Sequence, residues 1–161
     1  MISEWNDFYI AAVGASAALT GLIFVGVSIS LAKILSLPAL PERAMVAIFL
    51  LLAILTDSML LLIPGHTNAC CGYEQTVFGG VVWTVMTIMD SRIYHLKKNK
   101  FQRFYTINIL FNQIAVLPYL IGGLCLLYGR ETGYYWIAAA ILVSFIKAVS
   151  DAWVLLVEIH R

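Results

Sequence analysis

The stretch FYIAAVGASAALTGLIFVGVSISLAKIL, residues 8–35, decides the fold. It contains no charged side chain before Lys33 and is longer than the roughly 20 apolar residues that a helix needs to cross a bilayer. The composition agrees, because 61% of the 161 residues are hydrophobic and 12% are charged, whereas a soluble domain carries about 25% charged residues. The chain is therefore predicted to be an all-α integral membrane protein.

Small residues recur along one face of this first span. The steps alternate between three and four, which places residues on one side of a helix. The stripe consists of Ala11, Gly14, Ala18, Gly21, Val25 and Ser28. Small side chains let a second helix approach closely in lipid. We therefore expect the rest of the chain to pack against this small stripe, and a leucine at Gly14 or Gly21 to damage assembly.

Four further apolar runs follow, joined by short loops. The five predicted spans are residues 8–35, 43–63, 74–95, 104–128 and 134–159. They make residues 1–161 a single transmembrane domain, a bundle of five transmembrane helices. The second span is mostly apolar on all sides apart from Asp57. We expect it to have the greatest contact with lipid.

The charges in the loops predict the orientation. An odd number of spans puts the termini on opposite faces, and Lys and Arg are enriched in cytoplasmic loops. With the N-terminus outside and the C-terminus cytoplasmic, the outer side receives only Arg130. The cytoplasmic side receives Lys33, Arg43, Arg92, Lys97, Lys98, Lys100, Arg103 and Arg161. This is the predicted orientation.

Polar and small residues also line one face of each of the last three spans, again at steps of three and four. The third span carries Thr76, Gly80, Thr84, Thr87 and Ser91; the fourth carries Asn108, Asn112, Ala115, Tyr119 and Gly122; the fifth carries Ala140, Ser144, Lys147 and Asp151. Two interpretations stay open. The stripes either pack helices together or line a wet path or binding site.

Three charged residues, Asp57, Lys147 and Asp151, lie well inside their spans. A charge there costs at least about 2.5–3.5 kcal/mol, so it normally has a partner. Counting along the helices predicts an ion pair centred on Lys147, with Asp57, Asp151 or both. Asn108 and Asn112 lie at a depth from which they can hydrogen-bond Asp151. The cluster either fixes the order of the helices or forms a protonatable or ion-coordinating site.

A proline interrupts the fourth span. Pro118 frees the carbonyl of Ile114, which predicts a kink. Gly122 follows one turn later. The combination suits a gate hinge, or only a kink that fits neighbouring helices.

The sequence offers little other chemistry. Cys70, Cys71 and Cys125 form neither a disulfide framework nor a zinc pattern, although Cys125 can reach the other two for a disulfide. We find no phosphate loop, nucleophile elbow or His-rich metal motif, so no enzyme, metal or cofactor is predicted. A net charge of +1 gives no electrostatic case for nucleic acid.

Both ends of the chain resemble a known family. The stretch DFYIAAVGASAALTGLIFVGVSI, the LPER turn and the closing SFIKAVSDAWVLLVEIHR carry the likeness. They are similar to a family of small multi-span bacterial membrane proteins that is sometimes labelled a modulator of a membrane-bound AAA protease. The resemblance implies a bacterial inner membrane and covers most of the chain. It assigns no functional residues.

Two functions are compatible with these features. The first is a homo-oligomeric channel or small transport protein for an ion or small solute. It is favoured by the intramembrane charges and by the Pro118–Gly122 segment. The second is a non-conducting interaction or regulatory protein that docks the helices of a membrane protein partner. It is favoured by the lack of an inverted repeat among five unequal spans.

Overall fold

The computed structural model describes residues 2–36, 40–65, 67–96 and 102–159. Within these residues the regular structure is helical, which confirms the predicted all-α bundle. The helices are α1 (Ile2–Ile29), α2 (Leu31–Ser36), α3 (Leu40–Leu61), α4 (Asn68–Leu96), α5 (Gln102–Leu127) and α6 (Thr132–Ile159). The first predicted span corresponds to α1 together with α2, and the other four correspond to α3, α4, α5 and α6.

Four of the helices in the described part of the chain are long and apolar enough to cross a bilayer. These segments are Trp5–Ile29, Leu40–Leu61, Thr106–Leu127 and Thr132–Val157. They indicate a membrane protein. The fifth long helix, α4, has 29 residues but is more polar and is not among the four.

The helices pack in an order that differs from their order along the chain. α4 lies on α5, α5 on α6, α6 on α3 and α3 on α1, and α4 also contacts α3. α3 is therefore central, with 56% of its apolar stretch buried, compared with 6% for α1. The prediction that the second span has the greatest lipid contact is wrong. A helix that is apolar on all sides suits a protein interior as well as it suits lipid.

Glycines let α4, α5 and α6 approach one another closely. A Cβ atom on Gly72 would stand 2.6 Å from the backbone nitrogen of Leu127, and one on Gly79 would stand 2.8 Å from that of Leu120. Gly122 and Gly133 meet in the same way, because a Cβ on Gly133 would lie 2.6 Å from the Gly122 carbonyl oxygen. These contacts set α4 against α5 and α5 against α6.

The small stripe of α1 does not face the rest of the chain. A Cβ atom added to Gly14 or Gly21 would meet no other atom of the described residues within 4 Å, and Ala18 and Ser28 are exposed. α1 instead buries the face that contains Tyr9 and Ser16. The expectation that the other helices pack on the small stripe is therefore wrong. Aromatic and aliphatic side chains, among them Trp5, Phe8 and Leu19, pack α1 against the core on that face.

Aromatic residues hold the beginning of α1 against the beginning of α6. The ring of Trp5 stacks on Tyr134 at a centroid distance of 6.5 Å and meets Tyr135 edge-on at 5.0 Å. It also contacts Phe8 and Tyr9 of its own helix. Such pairs contribute about 0.5–1.5 kcal/mol each beyond the area that they bury. They fix the position of Tyr9 in the interior.

The turn between α5 and α6 is tight. Gly129 has a φ of 72°, a conformation that glycine adopts without a steric cost. The Arg130 amide donates to the Cys125 carbonyl over 2.9 Å and the Gly129 amide donates to that of Leu126 over 2.9 Å. This is a Schellman-type end, and it lets α6 begin at Thr132 and return along α5.

Candidate functional site

The polar faces of α5 and α6 point into the bundle and towards each other. On α5 this face contains Asn112, Ala115 and Tyr119, and on α6 it contains Ser144 and Lys147; all five are buried. The Ser144 hydroxyl donates to the Ala115 carbonyl over 3.1 Å. A line of polar groups therefore runs inside a single chain.

Lys147 forms an ion pair with Asp151 of the same helix, one turn away. The side chains are 9% and 13% exposed, so the pair is largely withdrawn from its surroundings. Of the predicted alternatives, the structure contains the pairing with Asp151. Asp57 does not take part, because neither of its carboxylate oxygens has a hydrogen-bond partner in the described residues.

A second carboxylate, Asp90 of α4, lies close enough to interact electrostatically with Lys147 and Asp151. Asp90 is 3% exposed. The Asn112 amide donates to its Oδ1 over 2.7 Å and the Gln113 amide donates to its Oδ2 over 3.3 Å. The sequence predicts a bond from Asn112 to Asp151, but the close packing of α4 on α5 presents Asp90 to it instead. We call Asp90, Asn112, Gln113, Lys147 and Asp151 the Lys147 cluster.

The network of Gln113 extends along α4. The Trp83 indole donates to the Gln113 side-chain oxygen over 2.9 Å, and Gln113 also contacts the Thr87 hydroxyl at 3.5 Å. Gln113 thereby links three residues of α4 and fixes the position of Asp90 along α5. Sequence reasoning missed this residue, because it lies beside the polar face of α5 rather than on it.

Asn108 lies apart from this network. It lines an open groove of about 360 Å³ between α5 and α6, together with Lys147, Ser150 and Asp151. The remaining lining residues are apolar: Ile107, Phe111, Val143, Ile146 and Val154. The groove gives the Lys147–Asp151 pair a lateral opening at the surface of the bundle.

Asp57 of α3 occupies a different part of the interior. It is 0% exposed, and it interacts with Tyr9 of α1, Gln75 of α4 and Tyr119 of α5. Tyr9 and Tyr119 are 0% exposed and Gln75 is 1% exposed. In the described structure both Asp57 oxygens, both tyrosine hydroxyls and the Gln75 side-chain oxygen lack hydrogen-bond partners. We call these four residues the Asp57 cluster.

The Asp57 cluster contains two residues that sequence reasoning did not single out, Tyr9 and Gln75. A signal for Gln75 was present. Gln75, Val82, Met86 and Asp90 recur on one face of α4 at steps that fit a helix, and all four are buried. The predicted α4 stripe lies on another side, and its Thr84, Thr87 and Ser91 are exposed.

Pro118 lies inside α5, and the helix continues through it from Gln102 to Leu127. The neighbouring carbonyl of Ala115 accepts from Ser144. Gly122 is packed tightly against Gly133 and Ile137 of α6. Both residues of the predicted hinge are therefore in a segment that α6 supports, and the hinge stays a prediction.

The three cysteines are free thiols. Cys70 is exposed, Cys71 is buried and Cys125 is half-buried. Within the described ranges no three His, Cys, Asp or Glu side chains group together as metal ligands.

No family model, curated protein or solved structure matches this chain. The site must therefore be interpreted from its own chemistry.

Proposed function

We propose that the chain is a five-span membrane transport protein that carries a small cation through the interior of its own helix bundle. The observation that carries the proposal is the complete burial of Asp57 among polar side chains without hydrogen-bond partners in the described structure. A buried carboxylate is stable only if it is paired, protonated or bound to a cation.

The packing of α4 supports a fifth span. α4 runs antiparallel to α5, because Gly72 meets Leu127 and Gly79 meets Leu120 near one end, while Asp90 meets Asn112 farther along. Its 29 residues make about 43 Å at 1.5 Å per residue, which exceeds a hydrocarbon core of about 30 Å. A bilayer that α5 crosses is then crossed by α4 as well. Five spans put the termini on opposite faces.

The loop charges support an N-terminus outside and a cytoplasmic C-terminus, as argued from the sequence. The bacterial inner membrane as the location rests on the resemblance at the two ends of the chain. Four of the basic residues that carry the orientation, Lys97, Lys98, Lys100 and Arg161, lie outside the described residues and contribute through their sequence positions alone.

The internal charges favour a cation over an anion. Two carboxylates, Asp57 and Asp90, are buried, and a third, Asp151, is largely buried beside the one ammonium group, Lys147. This leaves an excess of two negative charges when all four groups are ionised. In a low dielectric such an excess strongly attracts cations and repels anions.

The two clusters lie at different depths and are linked by α5. Tyr119 belongs to the Asp57 cluster and Asn112 to the Lys147 cluster, and they are seven residues, or about 10 Å, apart on one face of the helix. Ser144 lies between them. The groove at Lys147 supplies an opening at one end of this line.

The path therefore runs within one protomer. The polar faces of α5 and α6 close on each other in a single chain, so they are not free to line the central pore of a ring. A homo-oligomer remains part of the proposal, with each protomer carrying its own path.

The proposal is tested by measuring cation flux into liposomes that contain the purified chain. One set of liposomes carries a pH-sensitive dye and a second set carries a dye that responds to alkali cations. Wild type should raise cation flux above protein-free liposomes, and Asp57→Asn should reduce it at least about tenfold. Glu131→Gln is the matched control, because Glu131 is an exposed carboxylate in the α5–α6 turn. Wild-type flux equal to that of empty liposomes, or flux unaffected by Asp57→Asn, would contradict the proposal.

The second candidate is a non-conducting interaction protein. The observation that favours it is the exposure of the small stripe of α1, where Gly14 and Gly21 have free space around them in the described structure. It predicts no flux at all. It also predicts that Gly14→Leu weakens self-association in the membrane, measured by native mass spectrometry, while the fold of the monomer is unchanged.

A further inference from the structure

We infer that the Asp57 cluster binds a dehydrated alkali cation, for which Na⁺ is the probe, with ligands from Asp57, Gln75, Tyr9 and Tyr119. The inference deepens the proposed transport function by naming its substrate class, and it rests on that function for the release of the cation from the site.

The first argument is where the unpartnered atoms lie. In the part of the chain that the structure describes, seven buried side-chain atoms have no hydrogen-bond partner, and all seven are oxygens. Five of them belong to the Asp57 cluster: two from Asp57 and one each from Tyr9, Gln75 and Tyr119. Orphaned polar atoms are rare in protein interiors, and they call for an explanation such as a bound ion.

The second argument is charge. Asp57 supplies one negative charge, and the groups that face it are neutral: Tyr9 from α1, Gln75 from α4 and Tyr119 from α5. The buried ammonium of α6, Lys147, is paired with Asp151. One monovalent cation balances this site, whereas a divalent ion would leave a positive charge buried without a partner.

The third argument is ligand type. The available groups are a carboxylate, an amide oxygen and two hydroxyls, which are hard oxygen ligands. Zinc, copper and nickel prefer imidazole or thiolate ligands, which the cluster lacks. The ligand set favours a hard cation, and together with the single negative charge of Asp57 it favours an alkali cation.

The fourth argument distinguishes a metal cation from a proton. A protonated Asp57 would donate a hydrogen bond to a neighbouring oxygen. Tyr9, Gln75 and Tyr119 each interact with the Asp57 carboxylate, but in the described structure no hydrogen bond joins two of the five unpartnered oxygens of the cluster. Buried oxygens that gather near one carboxylate without hydrogen bonds between them fit a bound cation better than a hydrogen-bonded network.

The test measures thermal unfolding of the purified chain in detergent, with NaCl replaced by choline chloride at constant ionic strength. The wild-type Tm should rise with Na⁺ and saturate, by about 3 °C or more at concentrations far above Kd. Asp57→Asn should abolish the rise. Glu131→Gln should retain it in full.

A second, more conservative variant keeps the test informative if the Asp57→Asn protein does not fold. Tyr9→Phe keeps the ring that packs on Trp5 and removes one ligand oxygen. It should match the wild-type Tm in choline and need roughly tenfold more Na⁺ for half of the rise. An unchanged Na⁺ requirement in Tyr9→Phe would contradict the assignment of its hydroxyl as a ligand.

Two results would overturn the inference. One is a wild-type Tm that does not respond to Na⁺ at any pH between about 6 and 9. If acid instead raises the Tm of wild type but not that of Asp57→Asn, the site binds a proton. The other is a Na⁺ response that persists in Asp57→Asn. Flux measured on the same preparations separates the two proposals, because a Na⁺ response without flux contradicts only transport, and flux without a Na⁺ response contradicts only the cation site.

Discussion

The side-chain amide of Asn112 donates a 2.7 Å hydrogen bond to the buried carboxylate of Asp90 and thereby joins α5 to α4 across the interior of the bundle. Hydrogen bonds to charged groups contribute about 1.5–3 kcal/mol. This bond also sets the position of Asp90 relative to Lys147. The stability of the bundle and the geometry of the Lys147 cluster therefore depend on the same hydrogen bond.

Replacing Asn112 should weaken the bundle measurably. Asn112→Ala removes the 2.7 Å donor and leaves Asp90 with Gln113, so we expect a loss of about 1.5–3 kcal/mol in the free energy of unfolding. Chemical unfolding in mixed micelles measures the loss. Asn108→Ala is the matched control on the same helix, because Asn108 lines the open groove, and it should change stability by less than about 0.5 kcal/mol. Equal losses in the two variants would contradict the role of the Asp90 bond.

Two glycine substitutions should have opposite results. Gly79→Ala places a methyl group 2.8 Å from the backbone nitrogen of Leu120, and overpacking of this kind costs about 1–3 kcal/mol. Gly14 lies on the exposed face of α1, and a methyl group there meets no other atom within 4 Å in the described structure. Gly14→Ala should therefore leave the monomer as stable as wild type or slightly more stable, because alanine favours a helix by about 1 kcal/mol over glycine.

Thermal unfolding of both variants checks this prediction. A loss of monomer stability in Gly14→Ala that exceeds the loss in Gly79→Ala would show that the small stripe of α1 packs inside the chain after all.

The sequence predicts the helices well because long apolar runs leave few alternatives in lipid. It predicts their packing less well. Hydropathy places α3 against lipid because it does not distinguish a bilayer from a protein interior, although Asp57 on that helix is a sign of burial. The small stripe of α1 fits the spacing of an interface, but spacing does not say whether the partner helix belongs to the same chain.

The predicted inward face of α4 is wrong because the prediction relied on hydroxyl side chains. The Thr84 hydroxyl donates to the carbonyl of Gly80 and the Thr87 hydroxyl to that of Trp83, over 2.7 and 2.8 Å. A threonine that satisfies itself on its own helix can face lipid. Gln75 and Asp90 are buried and face other helices instead, since Gln75 interacts with Asp57 of α3 and Asp90 accepts from Asn112 of α5. In α4, the amide and carboxylate side chains therefore mark the inward face more reliably than the hydroxyls do.

The ion pair of Lys147 can be measured by a double-mutant cycle. Lys147→Met leaves Asp151 without its partner and beside Asp90, and breaking a buried pair costs about 3–5 kcal/mol. Adding Asp151→Leu removes the unpaired charge and should recover at least half of the loss. The cycle uses unfolding free energies of the two single variants and the double variant. Additive losses would show that the pair contributes nothing to the bundle.

The adjacent thiols Cys70 and Cys71 should react at very different rates. Cys70 is exposed, while Cys71 is 2% exposed and burial raises the pKa of its thiol. The thiolate is the reactive form, so the raised pKa leaves less of it at pH 7, and Cys71 should be alkylated more slowly and speed up as the pH rises. Alkylation of the folded chain, followed by mass spectrometry of the peptide that contains both residues, gives the two rates.

The same reaction tests the orientation of the chain. Cys70 lies at the start of α4, in the segment that the proposed topology places outside. A membrane-impermeant maleimide should therefore label wild type in intact cells, and Cys70→Ser should lose nearly all of that label, because Cys71 is buried and Cys125 is half-buried. Labelling that appears only after the membrane is opened would place this segment in the cytoplasm and reverse the proposed orientation.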